Sequence, residues 1–331
     1  MALGSSPNER IVRVSAQDPC TVCGEPDWCG YTSRVRLCMR VPSDRKAANG
    51  AYIHPWDDGE RHEPARPVLH TSQPRAPLSR RDRAYRTLLS TLTLSGEHRE
   101  ELRRRGLTDE EIAAAGYRTA PSGDRLAIAQ SMAASLGPDA LLGVPGFFQA
   151  QRGGWVLGGK PGILIPVRDQ EGRIQGLQVR VADHEAQGGR YRWLSSNGKP
   201  GGASSGVPLH VARPFGGVRQ QSLWVTEGPL KADVSAHFLG AIVLGVAGVG
   251  NWHDVPKFVQ SLSEPGVSPQ VVVAYDADLG DNPQVAESRK ALVSALIAAH
   301  AVVSVAVWPK GQGKGIDDVL KAQGRVRLYR L

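Results

Sequence analysis

The chain contains no run of about 18 uncharged apolar residues, so no membrane-spanning helix is expected. Its opening residues, Met1 to Ile11, lack the apolar stretch of a secretory signal, which predicts a cytoplasmic protein. Aromatic residues make up only 6% of the 331, whereas hydrophobic residues reach 41%, so its cores must be largely aliphatic. Cysteine is missing everywhere except in one span of nineteen residues holding Cys20, Cys23, Cys29 and Cys38. A disulfide framework would spread cysteines through a secreted chain. One tight cluster points instead to a bound metal in a reducing compartment. Gly245-Val246-Ala247-Gly248-Val249-Gly250 lacks the Lys-Ser/Thr of a phosphate-binding Walker loop and reads as a turn after a strand. No internal repeat is present.

Charge has the opposite character. Forty Lys and Arg against thirty-two Asp and Glu give +8, which permits a polyanionic partner. The excess is local: residues 151–220 carry ten basic and four acidic side chains.

Composition divides the chain into five parts. Residues 1–58 are Gly-, Pro- and Cys-punctuated and have too few apolar residues for a core of their own. Residues 59–78, rich in Pro, Arg and His, read as a linker. Residues 79–150 form a helical region, expected as a small bundle. Ser95 caps a helix that stops at Gly106, Thr108 and Glu111 make a capping-box pattern ended at Gly116, and Asp124 starts a further helix. Residues 151–221 turn to strand chemistry, with a hairpin of 163–167 and 172–180 joined at Asp169–Gly172. In residues 222–331, strands at 223–226, 241–246, 270–275 and 301–307 alternate with helices at 230–239, 252–262 and 283–300. Apolar strands joined by helices predict an α/β fold with a parallel sheet covered on both faces.

The acids of this last region fall at the carboxyl ends of the expected strands, where open α/β sheets bind their ligands. Glu227 ends the first strand, Asp276 and Asp278 follow Val272-Val273-Ala274-Tyr275, and Asp317 with Asp318 follow the fourth. Any one such acid suits a helix cap. Three acidic elements on one sheet edge suit a divalent cation, for which Mg²⁺ or Mn²⁺ and hard carboxylate oxygens are matched. Cys-x2-Cys-x5-Cys-x8-Cys offers four soft ligands for a structural Zn²⁺, which would supply folding energy that residues 1–58 lack.

Val225-Thr226-Glu227-Gly228 followed by Tyr275-Asp276-Ala277-Asp278 resembles the TOPRIM domain of DnaG-type primases, topoisomerases and OLD-type nucleases. The resemblance covers roughly residues 222–325. It implies that Glu227 acts as a general base or acid, that Asp276 and Asp278 bind Mg²⁺, and that Asp317 or Asp318 completes the site. Lys231 stands where primases often carry an acid, and either approaches a phosphate or lies exposed on its helix. Glu-Gly-Pro-Leu-Lys-Ala-Asp is similar to TOPRIM-like proteins of plasmids, phages and other mobile elements.

Residues 163–211 resemble the primase subdomain that precedes TOPRIM. Arg190-Tyr191-Arg192-Trp193-Leu194-Ser195-Ser196 is similar to its basic-aromatic strand. On this likeness Arg180, Arg190, Arg192 and Lys199 would line a groove for template phosphates or triphosphates, and Tyr191 or Trp193 would either stack on a base or join the core. Primases also begin with a zinc-binding module, which residues 1–58 resemble, with His54 an alternative ligand. The implied function is a primase making short primers on single-stranded DNA from nucleoside triphosphates, for replication of a mobile element, with any helicase supplied by another chain. The alternatives are a metal-dependent nuclease using the same acids and a non-catalytic single-strand-binding initiation factor.

Overall fold

The computed structural model describes residues 11–14, 18–25, 28–47, 50–56, 73–150, 153–182, 189–262, 267–276 and 283–331. Asp278 lies outside these described residues. The chain divides into two compact units, Met1–Leu69 and His70–Leu331.

The first unit holds a four-stranded antiparallel sheet in sequence order: β1 (Val12–Arg13), β2 (Gly30–Tyr31), β3 (Val35–Cys38) and β4 (Tyr52–Pro55). Its core is Cys20, Cys29 and Cys38, with Val14, Val22, Cys23 and Val41 packed around them. So small an apolar cluster cannot offset the ordering of the chain, and a further source of folding energy is needed.

The second unit opens with α1 (Leu78–Thr91), α2 (Gly96–Arg104) and α3 (Asp109–Ala115), then β5 (Arg118–Thr119), α4 (Arg125–Leu136), β6 (Phe147–Gln149) and β7 (Trp155–Leu157). Next come β8 (Ile163–Arg168), β9 (Ile174–Arg180), β10 (Tyr191–Trp193) and β11 (His210–Ala212). The C-terminal part runs β12 (Leu223–Glu227), α5 (Pro229–Leu239), β13 (Val243–Val246), α6 (Asp254–Ser261), β14 (Gln270–Val273), α7 (Pro283–Ala298), β15 (Val302–Val307), α8 (Ile316–Lys321) and β16 (Arg327–Arg330). None of the helices among the described residues is long and apolar enough to cross a membrane.

The helix boundaries follow local chemistry. Ser95 Oγ accepts from His98 N at the start of α2, and Thr108 and Glu111 make the reciprocal capping box of α3, which Gly116 ends. Asp124 precedes α4 but sits in the left-handed region, with φ 53°, and its side chain caps nothing. The helices do not form the small bundle expected from their sequence. Instead α1 packs across β9 of an antiparallel sheet ordered β10-β9-β8-β5, and α4 packs on β7 and on α1, in one core that includes Tyr85, Leu88, Met132, Leu164, Leu177 and Val179. Residues 73–77, read as the end of a linker, are also packed: Ala76 is buried, and Gln73 N and Ala76 N donate to Gly202 O and Gly143 O.

The C-terminal sheet is ordered β11-β13-β12-β14-β15-β16. Its four central strands are parallel, and its two edges, β11 and β16, are antiparallel. The expected parallel sheet is thus present in the four central strands, and its antiparallel edges make the whole a mixed one. Short edge strands escape a search for continuous apolar runs, because Arg327-Leu328-Tyr329-Arg330 is exposed and charged at both ends. Helices do cover both faces: α5 and α8 pack on Trp224, Val243 and Val272, while α6 and α7 pack on Val225, Leu244 and Val273.

Helix α5 belongs to both sheets. Ala232 and Ala236 face the parallel strands, whereas Leu230 and Val234 pack on Ile163, Ile165 and Tyr117. A helix wedged between two sheets is apolar on opposite sides, which is why it has no amphipathic pattern.

Candidate functional site

The parallel strands reverse direction of travel at β12. From β12 the chain crosses through α5 to β13 on one side, then returns through α6 to β14 on the other. That reversal leaves a crevice beyond the carboxyl ends of β12 and β14. Glu227 is the last residue of β12, and Asp276 follows β14 by three residues. Asp317 comes from the first turn of α8. Gly228 makes the sharp exit from β12, with φ 79° and its N–H on Val246 O, so that α5 begins directly beneath the acids.

Asp276 and Asp317 are 5% and 3% exposed, and Glu227 is half-buried. Burial pushes the Glu227 carboxyl upward, the Asp276 charge adds to that, and Lys231 and Lys314 oppose it. Burial likewise raises Asp317, opposed by Lys231 and Arg105 and reinforced by Asp318 and Asp276. Asp276 and Lys231 thus act on both Glu227 and Asp317. Glu227 Oε1 and Asp317 Oδ1 are buried without a hydrogen-bond partner. Lys231 reaches into the cluster, and its Nζ contacts Asp276 Oδ1.

Asp317 and Asp318, equivalent in the sequence, separate here. Asp317 is turned inward by the phase of α8, alongside buried Ile316, while exposed Asp318 accepts from Gly315 N at 3.2 Å as a helix cap. Gly315 is required for this packing. A Cβ there would stand 2.4 Å from Asp317 Oδ1 and 3.1 Å from Lys231 Nζ.

A cleft of about 270 Å³ opens beside Asp317, lined by Glu101, Arg104, Arg105, Arg180, Asp318 and Lys321. Arg180 ends β9 buried, ion-paired with Glu101 of α2, and its Nε has no partner. Arg105 Nη1 lies 3.5 Å from Asp317 Oδ2. Sequence reasoning missed Arg104, Arg105 and Lys321. The run Arg103-Arg104-Arg105 was visible, but a basic helix C-terminus is also the ordinary answer to the helix dipole.

The remaining basic-strand residues are more dispersed. Tyr191 lies opposite Arg180 in the β9–β10 ladder with its side chain exposed, and Arg190 beside it is exposed. Arg192 Nε turns back to Gly189 O, and Lys199 Nζ sits 3.9 Å above the Phe148 ring. Trp193 is half-buried over Gly176, in a packing role. Also missed was a buried polar chain at the junction of the sheets. Arg168 N donates to His210 Nδ1, His210 Nε2 donates to Asp233 Oδ1 at 2.9 Å, and Tyr117 Oη donates to Asp233 Oδ2.

In the first unit the four sulfurs of Cys20, Cys23, Cys29 and Cys38 lie within 4.8 Å of one another. Cys23–Cys29 and Cys29–Cys38 are 3.7 and 3.9 Å apart, too long for a disulfide. They match the edge of about 3.8 Å of a tetrahedron with zinc–sulfur bonds of about 2.3 Å. Backbone N–H groups of Met39, Arg40 and Val41 point at Cys29 and Cys38 sulfurs, as suits thiolates. Burial raises the Cys23 thiol, but the Glu25 backbone and the neighbouring sulfurs outweigh it and bring it to about 7. The four cysteines can hold a zinc ion. His54 is not among these ligands: its Nε2 is 3.0 Å from Val41 O.

Residues 217–326 match a family described as a domain of unknown function, DUF3854. No curated protein matches the chain by sequence. Solved structures with a similar fold include primase catalytic cores. The zinc-binding and RNA polymerase domains of the Aquifex aeolicus primase align at 16% identity and TM-score 0.57, over 75% of this chain and 59% of that one. A DNA primase domain from Pseudomonas aeruginosa aligns at 18% identity and TM-score 0.55, over 75% and 76%. A DnaG primase catalytic domain bound to ssDNA aligns at 16% identity and TM-score 0.53, over 74% and 75%. The chain thus spans less than two-thirds of the Aquifex protein, and at these identities the likeness is one of fold.

Proposed function

We propose that the chain is a primase-like nucleotidyltransferase, which builds short primers on single-stranded DNA from nucleoside triphosphates at a TOPRIM-type site dependent on Mg²⁺ or Mn²⁺. The observation that carries this reading is the convergence of Glu227, Asp276 and Asp317 at the sheet's switch point, beside an arginine-lined cleft. The donor set fits a hard divalent cation, since two of its buried oxygens lack any other partner. Bound there, such an ion would help ionise the attacking hydroxyl and neutralise the departing phosphates.

The chain's own residues then divide the remaining work. Arg104, Arg105, Arg180 and Lys321 hold the triphosphate in the cleft, and Arg190, Arg192 and Lys199 hold template phosphates. Exposed Tyr191 stacks on a template base. The primer 3′-hydroxyl attacks the α-phosphorus, pyrophosphate leaves, and Glu227 accepts the hydroxyl proton. Its raised proton affinity suits it to that step. Asp276 and Asp317 serve as metal ligands with Asp278, and Asp318 holds the start of α8. The cysteine unit binds structural Zn²⁺ and helps select the template. The mobile-element setting rests on the Glu227-to-Asp233 motif, and a helicase from another chain would supply the single strand.

The test is primer synthesis from labelled NTPs or dNTPs on single-stranded templates with Mg²⁺ or Mn²⁺, comparing wild type with Asp276→Ala/Asp278→Ala. Labelled oligonucleotides that vanish in the double variant are expected, and synthesis undiminished by it would refute the mechanism. The ion pair between Lys231 and Asp276 favours a second reading, a non-catalytic initiation factor. That reading predicts no product, an intact template, and salt-dependent binding indifferent to the double substitution. A shortened template would identify a nuclease.

A further inference from the structure

Lys231 occupies an unusual position for a cation. It is the third residue of α5, where the helix dipole disfavours positive charge. Yet its side chain is only 22% exposed and points among the carboxylates. Nζ contacts Asp276 Oδ1, its charge acts on Glu227 and on Asp317, and the missing Cβ of Gly315 makes room for its Cε and Nζ. Three acids that would otherwise repel one another in a crevice are thus gathered around one ammonium. Arg105 and Lys314 add positive charge from the rim and Asp318 adds negative.

Resting on the reading of this cluster as a divalent-ion site, we propose that the Lys231 ammonium is a built-in cation holding a position a divalent ion would otherwise take. Divalent ions must then compete with a tethered charge. The wild-type chain binds them more weakly than its acids alone would dictate, and ion entry requires Lys231 to release Asp276.

The experiment titrates the zinc-loaded full chain with Mn²⁺, following loss of the free-ion electron paramagnetic resonance signal. Wild type is compared with Lys231→Met, which keeps the stem and removes the charge, and with Lys231→Arg, which keeps a charge. Lys231→Met is expected to bind at least about tenfold more tightly or to take up an additional ion, and Lys231→Arg to resemble wild type. Should Lys231→Met prove fragile without metal, its thermal midpoint should rise more on adding Mn²⁺ than that of wild type. Equal affinity, equal stoichiometry and equal thermal response in wild type and Lys231→Met overturn the proposal. If that common binding disappears in Asp276→Asn, the metal reading survives the loss of the lysine proposal. Absence of binding in every variant overturns both.

Discussion

Gly315→Ala is a one-methyl probe of the carboxylate cluster. The residue's φ of −99° is open to any amino acid, so backbone strain contributes nothing. The cost comes from the added carbon, which would stand 2.4 Å from Asp317 Oδ1, with Lys231 Nζ at 3.1 Å and Cε at 3.2 Å. Lys231 can withdraw because its stem is flexible. Asp317 cannot easily do so, being 3% exposed and fixed by the first turn of α8. Overpacking of this kind costs about 1–3 kcal/mol, equivalent to a fall in thermal midpoint of roughly 2–10 °C in a unit of this size. Primer synthesis should fall with it, because the displaced carboxylate is a proposed metal ligand. The decisive assay is a double-mutant cycle by calorimetry with Asp317→Ala, which removes the obstructing oxygen. Gly315→Ala should cost far less in that background. An undiminished penalty there would show that the close approach to Asp317 is not what the glycine serves.

Other expectations follow from burial and charge. Glu227 binds its proton more readily folded than unfolded, so without metal it withdraws stability as pH rises from the ordinary carboxylate range through its raised value. Glu227→Gln should therefore raise the thermal midpoint near neutral pH, with the gain vanishing in acid; a pH-independent difference would contradict this. Removing Arg180 leaves Glu101 of a largely buried pair without its partner, and Arg180→Ala should cost about 2–4 kcal/mol in denaturant titration. In the first unit, one zinc per chain is expected by elemental analysis. A chelator or Cys29→Ser should abolish amide-exchange protection across β2 and β3, because the sulfur cluster is that unit's core.

Much of this architecture was legible in the chain, for definite reasons. The aliphatic runs around Val225, Leu244, Val272 and Val305 could only be strands buried on both faces, and Thr108 with Glu111 announced a helix start. Acids at the ends of those strands marked the crevice before its topology was known. What escaped depended on distance or phase. Lys231 and Asp276 are 45 positions apart, and nothing local pairs them. Asp317 and Asp318 differ only in their angle around a helix, so inward and outward roles could not be told apart. His210, Asp233 and Tyr117 come from separate elements and carry no shared motif. The packing of α1 across the antiparallel sheet was hidden by a composition that suggested a separate bundle.

The two antiparallel edges of the C-terminal sheet bear on how this chain can be divided. The family match, residues 217–326, starts after β11 and stops before β16. The segment that sequence similarity defines is therefore narrower by two strands than the sheet it belongs to. Cut at those limits, β13 and β15 would each present a bare ladder of N–H and C=O groups, open to pairing with other chains. Leu230 and Val234 would lose their cover from Ile163 and Ile165 at the same time. The length that the family model matches and the length that completes the sheet are then different. The strands that carry the acids therefore depend on β11 and β16, outside the matched segment, to close both edges of their sheet.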